Sequence, residues 1–253
     1  MLRGIVKFRA RIVHPDKGIT FPVVEFNPNE AGVGNAEIEG PNGTEILTTV
    51  HLTAVDNHDQ GIGVATKVHV AALDRICFFH NVAIENGDVT ESDFSPIDPQ
   101  PPGQYGLGAA GGRYDYIGYP IAFPRGLSGS LLKTQLEQTA PAGERNFGLF
   151  RSARQSTSPV EEFMHLYNLM LMFFDDSRPG AQERLDEFIR TGKPRVPSTP
   201  RPRLPVHETV YTRLRNEFAH QRPGVNLDDT KAAMKNNLGD LIELIKRAIE
   251  LHS

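Results

Sequence analysis

Cysteine is nearly absent. Cys77 is the only one in 253 residues, which excludes an internal disulfide framework and any cysteine-cluster zinc site. Long hydrophobic runs are absent too: the densest apolar stretch is Leu169 to Phe174, far short of the ~18 consecutive apolar residues of a membrane span. The opening MLRGIVKFRARIV alternates basic and apolar residues and has no small-residue cleavage site, so it does not read as a signal peptide. Charge of one sign is not in large excess either. With 27 Lys and Arg against 31 Asp and Glu, the net charge is −4, which argues against a constitutive nucleic-acid coat protein. What is there is ordinary globular composition, 39% hydrophobic and 23% charged, enough for one large or two small domains. The expectation is a soluble, cytoplasmic protein.

The average charge hides an asymmetry. Residues 1–150 carry 11 Lys/Arg against 17 Asp/Glu, whereas residues 151–253 carry 16 against 14. Arg190, Lys193, Arg195, Arg201 and Arg203 form a run with no acid between Glu187 and Glu208. A polyanion would meet the C-terminal half.

The front of the chain reads as β. Ile5, Lys7, Arg9 and Arg11 alternate with Val6, Phe8, Ala10 and Ile12, the period of a half-buried strand. Phe21–Phe26, Thr44–Ala54, Cys77–Glu85 and Tyr114–Tyr119 are further β-rich runs, separated by turn clusters such as NPNEAG, GPNG and ENGD. Val64, Val68, Ala71, Ala72 and Arg75 recur at three- or four-residue spacing, which predicts a helix over 64–76 running into a strand. Residues 95–112 are so rich in Pro and Gly that they read as a loop.

From 143 onward the pattern is helical. Ser158-Pro159-Val160-Glu161 is a capping box, and Phe163, Leu166, Tyr167, Met170 and Phe174 continue at helical spacing. A helix near 180–191 closes on Gly192 as a C′ glycine. The Pro- and Arg-rich linker over 193–206 has five prolines in KPRVPSTPRPRLP and predicts polyproline II rather than helix. A helix near 207–220 follows. A last helix begins after Asn226, has Asp228 and Asp229 in its first turn and runs to about Leu251, with Leu238, Leu241, Ile242, Ile245 and Ile249 as its apolar stripe. The fold class is therefore α+β, a β-rich domain over 1–142 followed by a helical bundle over 143–253.

Several motifs fail on context. Gly106-Leu-Gly108-Ala-Ala-Gly111 matches the dinucleotide fingerprint in letters, but PQPPGQY precedes it and RYDYIGYP follows, so neither the strand nor the helix it needs is there. Arg125-Gly-Leu-Ser128-Gly129-Ser130 lacks the second glycine of a nucleophile elbow and reads as the start of the amphipathic stretch LLKTQLEQ. His69 and His80 would stand about 16 Å apart along one helix, too far for one metal. His165 has apolar neighbours and reads as a core or interface histidine. The sequence thus gives no cofactor and no metal site.

One motif survives. Arg215-Asn216-Glu217-Phe218-Ala219-His220 ends an amphipathic helix whose buried side is Val210, Leu214 and Phe218. This set suits RNA cleavage without a metal. A histidine can take the proton of a ribose 2′-hydroxyl or give one to the leaving 5′-oxygen. Arginine offers a planar fork of donors to a phosphate whose charge grows in the transition state. Asn216 can bind a phosphate oxygen or fix the imidazole tautomer. Arg215 and His220 stand about 140° apart around an ideal helix, so the spacing favours convergence across two copies, or at a relaxed helix end. The simpler alternative makes Arg215 and Glu217 surface charges and His220 a residue favouring the helix dipole.

Arg215-Asn216-Glu217-Phe218-Ala219-His220 resembles the R-N-x-x-x-H signature of the HEPN superfamily, and SPVEEFMHLYNLMLMFFDD looks like the long core helix of its larger prokaryotic members. The resemblance covers roughly 143–253. Through ETVYTRLRNEFAH and its overall layout the chain is also similar to accessory proteins labelled methylamine utilisation protein J, a label that implies a genomic neighbourhood more than a reaction. The HEPN resemblance implies a metal-independent ribonuclease that dimerises through its C-terminal helices so that two motifs share one cleft. Arg215 and His220 would be catalytic, Asn216 supporting, and the run from Arg190 to Arg203 would supply RNA contacts. The rival expectation is a non-catalytic dimeric interaction module whose β-domain binds a protein or small ligand. A third, chemistry in the front domain, would need a deep pocket near His51, His58 or His80.

Overall fold

The structure, a computed structural model, describes residues 1–14, 17–97, 124–138, 144–175, 178–201, 206–222 and 224–252. The chain divides into two compact units, Met1–Ala140 and Pro141–Ser253. A β-sheet fills the first and helices dominate the second, an α+β layout with a C-terminal helical region.

In the first unit β1 (Leu2–Arg11), β2 (Ile19–Phe26), β3 (Val33–Gly40), β4 (Glu45–Val55), β5 (Asp88–Pro96) and β6 (Arg125–Gly126) form one sheet in the order β5-β1-β4-β3-β2-β6. All pairs are antiparallel except β2 with β6. Period-2 alternation decides which side of each strand is buried. Val6, Phe8 and Ala10 face Val50, Thr48 and Ile46 across β1 and β4, all buried. Helices α1 (His58–His80) and α2 (Gly129–Glu137) pack against the sheet. Arg3, Ile5, Arg9 and Arg11, on the alternate positions of β1, are exposed.

Helix α1 is longer than the expected 64–76, and it corrects the strand expected over Cys77–Glu85. The helix begins at the cap Asn57, whose side chain accepts from the Gln60 amide at 3.0 Å, and ends before Asn81, which is left-handed. The run Ile76–Phe79 looks like strand locally, but Ile76, Cys77 and Phe78 are buried on the helix; tertiary burial overrides propensity. Two of the longer strands escaped the sequence. β3 (VGNAEIEG) is poor in β-formers, and β5 (DVTESDFSP) is a charged, exposed edge strand that takes in Ser95 and Pro96 from the expected loop. Tyr114–Tyr119 and Gly106–Gly111 lie outside the described residues.

In the second unit α3 (Glu144–Arg154), α4 (Pro159–Met172), α5 (Ala181–Gly192), α6 (Val210–His220) and α7 (Leu227–Leu251) surround a core that includes Phe163, Tyr167, Leu185, Tyr211, Leu214, Leu241 and Ile245. α4 and α6 both pack on α7. Half of the capping box is present: Ser158 Oγ accepts from the Glu161 amide at 3.5 Å. The reciprocal bond is displaced, because the Ser158 amide donates to Ser156 Oγ at 3.2 Å and Ser156 also holds Glu161. Gly192 is the last residue of α5 rather than a left-handed C′ glycine, and its bare Cα leaves room for the Arg247 guanidinium. His165 is exposed, not in the core, since it sits on the outer side of α4 between buried Phe163 and Leu166. The linker is not uniform polyproline II: β7 (Ser198–Pro200) pairs antiparallel with β8 (His207–Thr209).

Candidate functional site

The motif helix α6 starts from β8 and is anchored underneath by α5. Thr209 occupies its N-cap position but does not cap it. Instead the Thr209 amide and hydroxyl donate to Asp186 Oδ1 at 3.1 and 2.6 Å, and Thr212 Oγ1 donates to the same oxygen at 2.7 Å. Tyr167 Oη lies 2.8 Å from Thr212 Oγ1. Burial is the largest influence on Asp186 and raises its carboxyl above the ordinary value, against the pull of the threonine hydrogen bonds. Burial likewise pushes the Tyr167 phenol well up. Glu217, a surface charge on the simpler alternative, is buried: it accepts from Arg213 at 2.9 Å and from Thr230 Oγ1 at 3.2 Å, which ties α6 to α7. Phe218 is only half-buried, so the apolar side of α6 rests on Val210, Tyr211 and Leu214.

Above this anchor the three motif residues meet within a single chain. Arg215 Nη1 donates to Asn216 Oδ1 at 3.1 Å and lies 3.4 Å from His220 Nε2. The 140° separation is one of Cα directions, and the long arginine side chain crosses that arc. Convergence therefore does not itself require a second copy. Arg215 is half-buried, with Nε shut from solvent and unpartnered among the described residues, whereas His220 is exposed on the last residue of α6. After it Gln221 turns left-handed and ends the helix.

Asn216 is 2% exposed, and its amide is engaged at both ends. Nδ2 donates to Glu208 Oε2 at 3.1 Å, and Oδ1 accepts from Gln182 at 3.4 Å as well as from Arg215. Glu208 in turn receives both arms of Arg222, at 2.6 and 3.0 Å. Burial by itself would raise the Glu208 carboxyl, but the hydrogen bonds from Arg222 and Asn216 outweigh it and hold the group below the usual carboxylate value. The same pairing raises Arg222. Glu208, Arg222, Gln182 and Asp186 were all missed from sequence. The one local signal was the spacing of Glu208 and Asn216 across a strand-to-helix turn, which no single periodicity displays.

The basic run behaves less uniformly than its letters. Arg190 bonds Glu187 at 3.2 Å and the His207 carbonyl at 3.4 Å. Lys193 pairs with Asp240, and Arg201 pairs with Glu183 at 3.2 Å. Arg195 is exposed and has no ion pair among the described residues, and Arg203 lies outside them. A cavity of about 460 Å³ is lined by Glu183, Arg190, Ser198, Val206 and His207. Arg190 is the one described member of the run on its wall.

In the first unit His51 meets Glu37 at 3.5 Å, His58 meets Ser92 at 3.5 Å, and His80 meets Gln135 at 2.8 Å. His69 is buried, stacked on Phe8, and within 2.9 Å of Thr48 Oγ1. A cavity of about 220 Å³ there is walled by Arg9, Arg11, Glu85, Asn86, Asp88 and Thr90, with no histidine. Among the described residues no group of three His, Cys, Asp or Glu side chains is placed to hold a metal ion. No helix among them is long and apolar enough to cross a membrane. The chain matches no family model, no curated protein and no solved structure.

Proposed function

We propose that this chain is a metal-independent endoribonuclease of HEPN type, acting in the cytoplasm as a homodimer through its C-terminal helices. The observation that carries the reading is the meeting of Arg215 Nη1 with His220 Nε2 at 3.4 Å and with Asn216 Oδ1 at 3.1 Å. An acceptor nitrogen beside a guanidinium suits a base that must work next to a phosphate. The substrate phosphate draws the Arg215 N–H away from His220 Nε2, and the freed lone pair takes the proton of the ribose 2′-hydroxyl as that oxygen attacks phosphorus. The bond from phosphorus to the 5′-oxygen breaks, and the leaving oxygen takes its proton from His220 of a second copy in its imidazolium form. The products are a 2′,3′-cyclic phosphate and a 5′-hydroxyl. Arg215 faces the charge that builds on the phosphorane, and Asn216 aims Arg215. Arg195, exposed and without an ion pair among the described residues, is the best-placed of the described members of the basic run to meet backbone phosphate.

A second reading is a non-catalytic dimeric module whose β-domain binds a protein or small ligand. One observation favours it: Arg190, Lys193 and Arg201 are each matched to an acid, which leaves less free positive charge than the run suggests.

The test is cleavage of labelled single-stranded and structured RNAs in EDTA by wild type, His220→Ala and Arg215→Ala. A cyclic-phosphate product lost in both variants supports the nuclease. No cleavage by a dimeric wild type supports the module, and cleavage that survives both substitutions rejects this site.

A further inference from the structure

We propose that Glu208 is the positioning residue of the Arg215–Asn216–His220 site, locked by Arg222, and that it determines which ring nitrogen of His220 is the base. The functional consequence rests on the ribonuclease reading; the geometric one does not.

Glu208 stands on β8 just before the motif helix and Arg222 just after it. Their fork, at 2.6 and 3.0 Å, closes a loop of chain around α6. Glu208 is 1% exposed, so its carboxylate is oriented by protein groups rather than by water. One of its oxygens is shared: Oε2 receives both Arg222 Nη2 and Asn216 Nδ2. A carboxylate accepts only, so it admits the NH₂ end of Asn216 and repels the carbonyl end. The amide cannot flip. Its Oδ1 is thereby turned toward Arg215 Nη1 at 3.1 Å.

That nitrogen reaches on to His220 Nε2 at 3.4 Å. A guanidinium has donors and no acceptor, so the ring nitrogen it meets must carry a lone pair and the proton must sit on Nδ1. Carboxylate, amide, guanidinium and imidazole thus form one polarity-fixed chain, in which each link permits a single orientation of the next. Nothing on His220 itself enforces this tautomer, since the ring is exposed at the helix end.

The experiment is ¹⁵N NMR of the imidazole nitrogens of His220 in the full chain at about pH 8, where ordinary histidines are neutral. Wild type is compared with Arg215→Ala, Glu208→Ala and the milder Glu208→Gln. Circular dichroism and thermal unfolding show which variants are folded, and Glu208→Gln carries the comparison if Glu208→Ala does not fold. The expected result is an Nε2 acceptor signal in wild type that collapses toward a mixed-tautomer pattern in Arg215→Ala and in the folded Glu208 variant alike. A Glu208 variant that keeps the wild-type signal while Arg215→Ala loses it overturns the proposal, as does a protonated Nε2 in wild type.

Cleavage assays separate the two layers. Where wild type cleaves RNA, Glu208→Ala should lower kcat about a hundredfold while KM stays within about twofold. Where it does not, the ribonuclease reading falls and the imidazole signals still decide the role of Glu208.

Discussion

The hydroxyl of Thr209 lies 2.6 Å from Asp186 Oδ1, so the residue placed to cap α6 holds the helix onto α5 instead. The first turn of the motif helix is consequently fixed by tertiary contact, with a second hydroxyl from Thr212 on the same oxygen. The carboxylate near the N-terminus also complements the helix dipole.

This pairing has a pH signature. Burial raises the Asp186 carboxyl above its ordinary 3.8, so the folded state holds that proton better than the unfolded chain does. The contribution is complete below 3.8 and is lost as pH rises through the raised value. Asp186→Asn cannot ionise and escapes this loss. Its stability relative to wild type should therefore improve between about pH 4 and pH 7. Hydrogen exchange of the α6 amides across that range checks the trend; a difference that does not change with pH would contradict it.

Glu208 has the opposite sign. Arg222 and Asn216 hold its carboxyl below the ordinary 4.5 despite burial. Its contribution is present above the unfolded value and is lost as pH falls through the folded one. Arg222→Gln strands a buried carboxylate and should cost about 2–3 kcal/mol at neutral pH, less than a fully buried pair because Arg222 keeps some solvent contact. The deficit should shrink below about pH 4. Urea unfolding of wild type and variant at two pH values is the measurement.

Gly61 on α1 faces Phe94 of β5, and a Cβ there would come within 2.4 Å of the ring. Gly61→Ala gains helix propensity, by about 1 kcal/mol. The clash should nevertheless prevail, with a net loss of about 1–2 kcal/mol in thermal unfolding. A stabilised variant would mean that β5 yields easily. By contrast His165, outward on α4, should tolerate His165→Ala within about 0.5 kcal/mol.

On the proposed ribonuclease reading, RNA affinity should depend unequally on the basic run. Arg195→Ala, which removes a charge with no ion pair among the described residues, should weaken binding and reduce the slope of log K against log salt by about 1. Lys193→Ala, which frees Asp240, should change the slope little. Fluorescence anisotropy over a salt series distinguishes them, and equal slopes would show that the run acts as one field.

Legibility followed locality. The alternation of β1 and the apolar stripe of α7 are visible in the letters because each element's own period shows its buried side. The start of α7 after Asn226 and the proline at the start of α4 were visible for the same reason. β3 was not, because its residues are strand only by pairing between β2 and β4. Cys77–His80 misled because side chains that favour strands were recruited to a buried helix face.

The candidate site divides along the same line. By itself the sequence determined which chemistry is present, Arg215, Asn216 and His220 on one helix, because residue types and their order are local facts. Only the tertiary structure decided that these three meet in one chain, that Asn216 is buried rather than offered to a ligand, and that Arg190, Lys193 and Arg201 are neutralised. Each of those outcomes depends on partners such as Glu208, Asp240 and Glu183, and a hydrogen bond or ion pair forms only where folding brings two groups within about 3 Å. Charge can be counted along a chain, but what it faces is set by the packing.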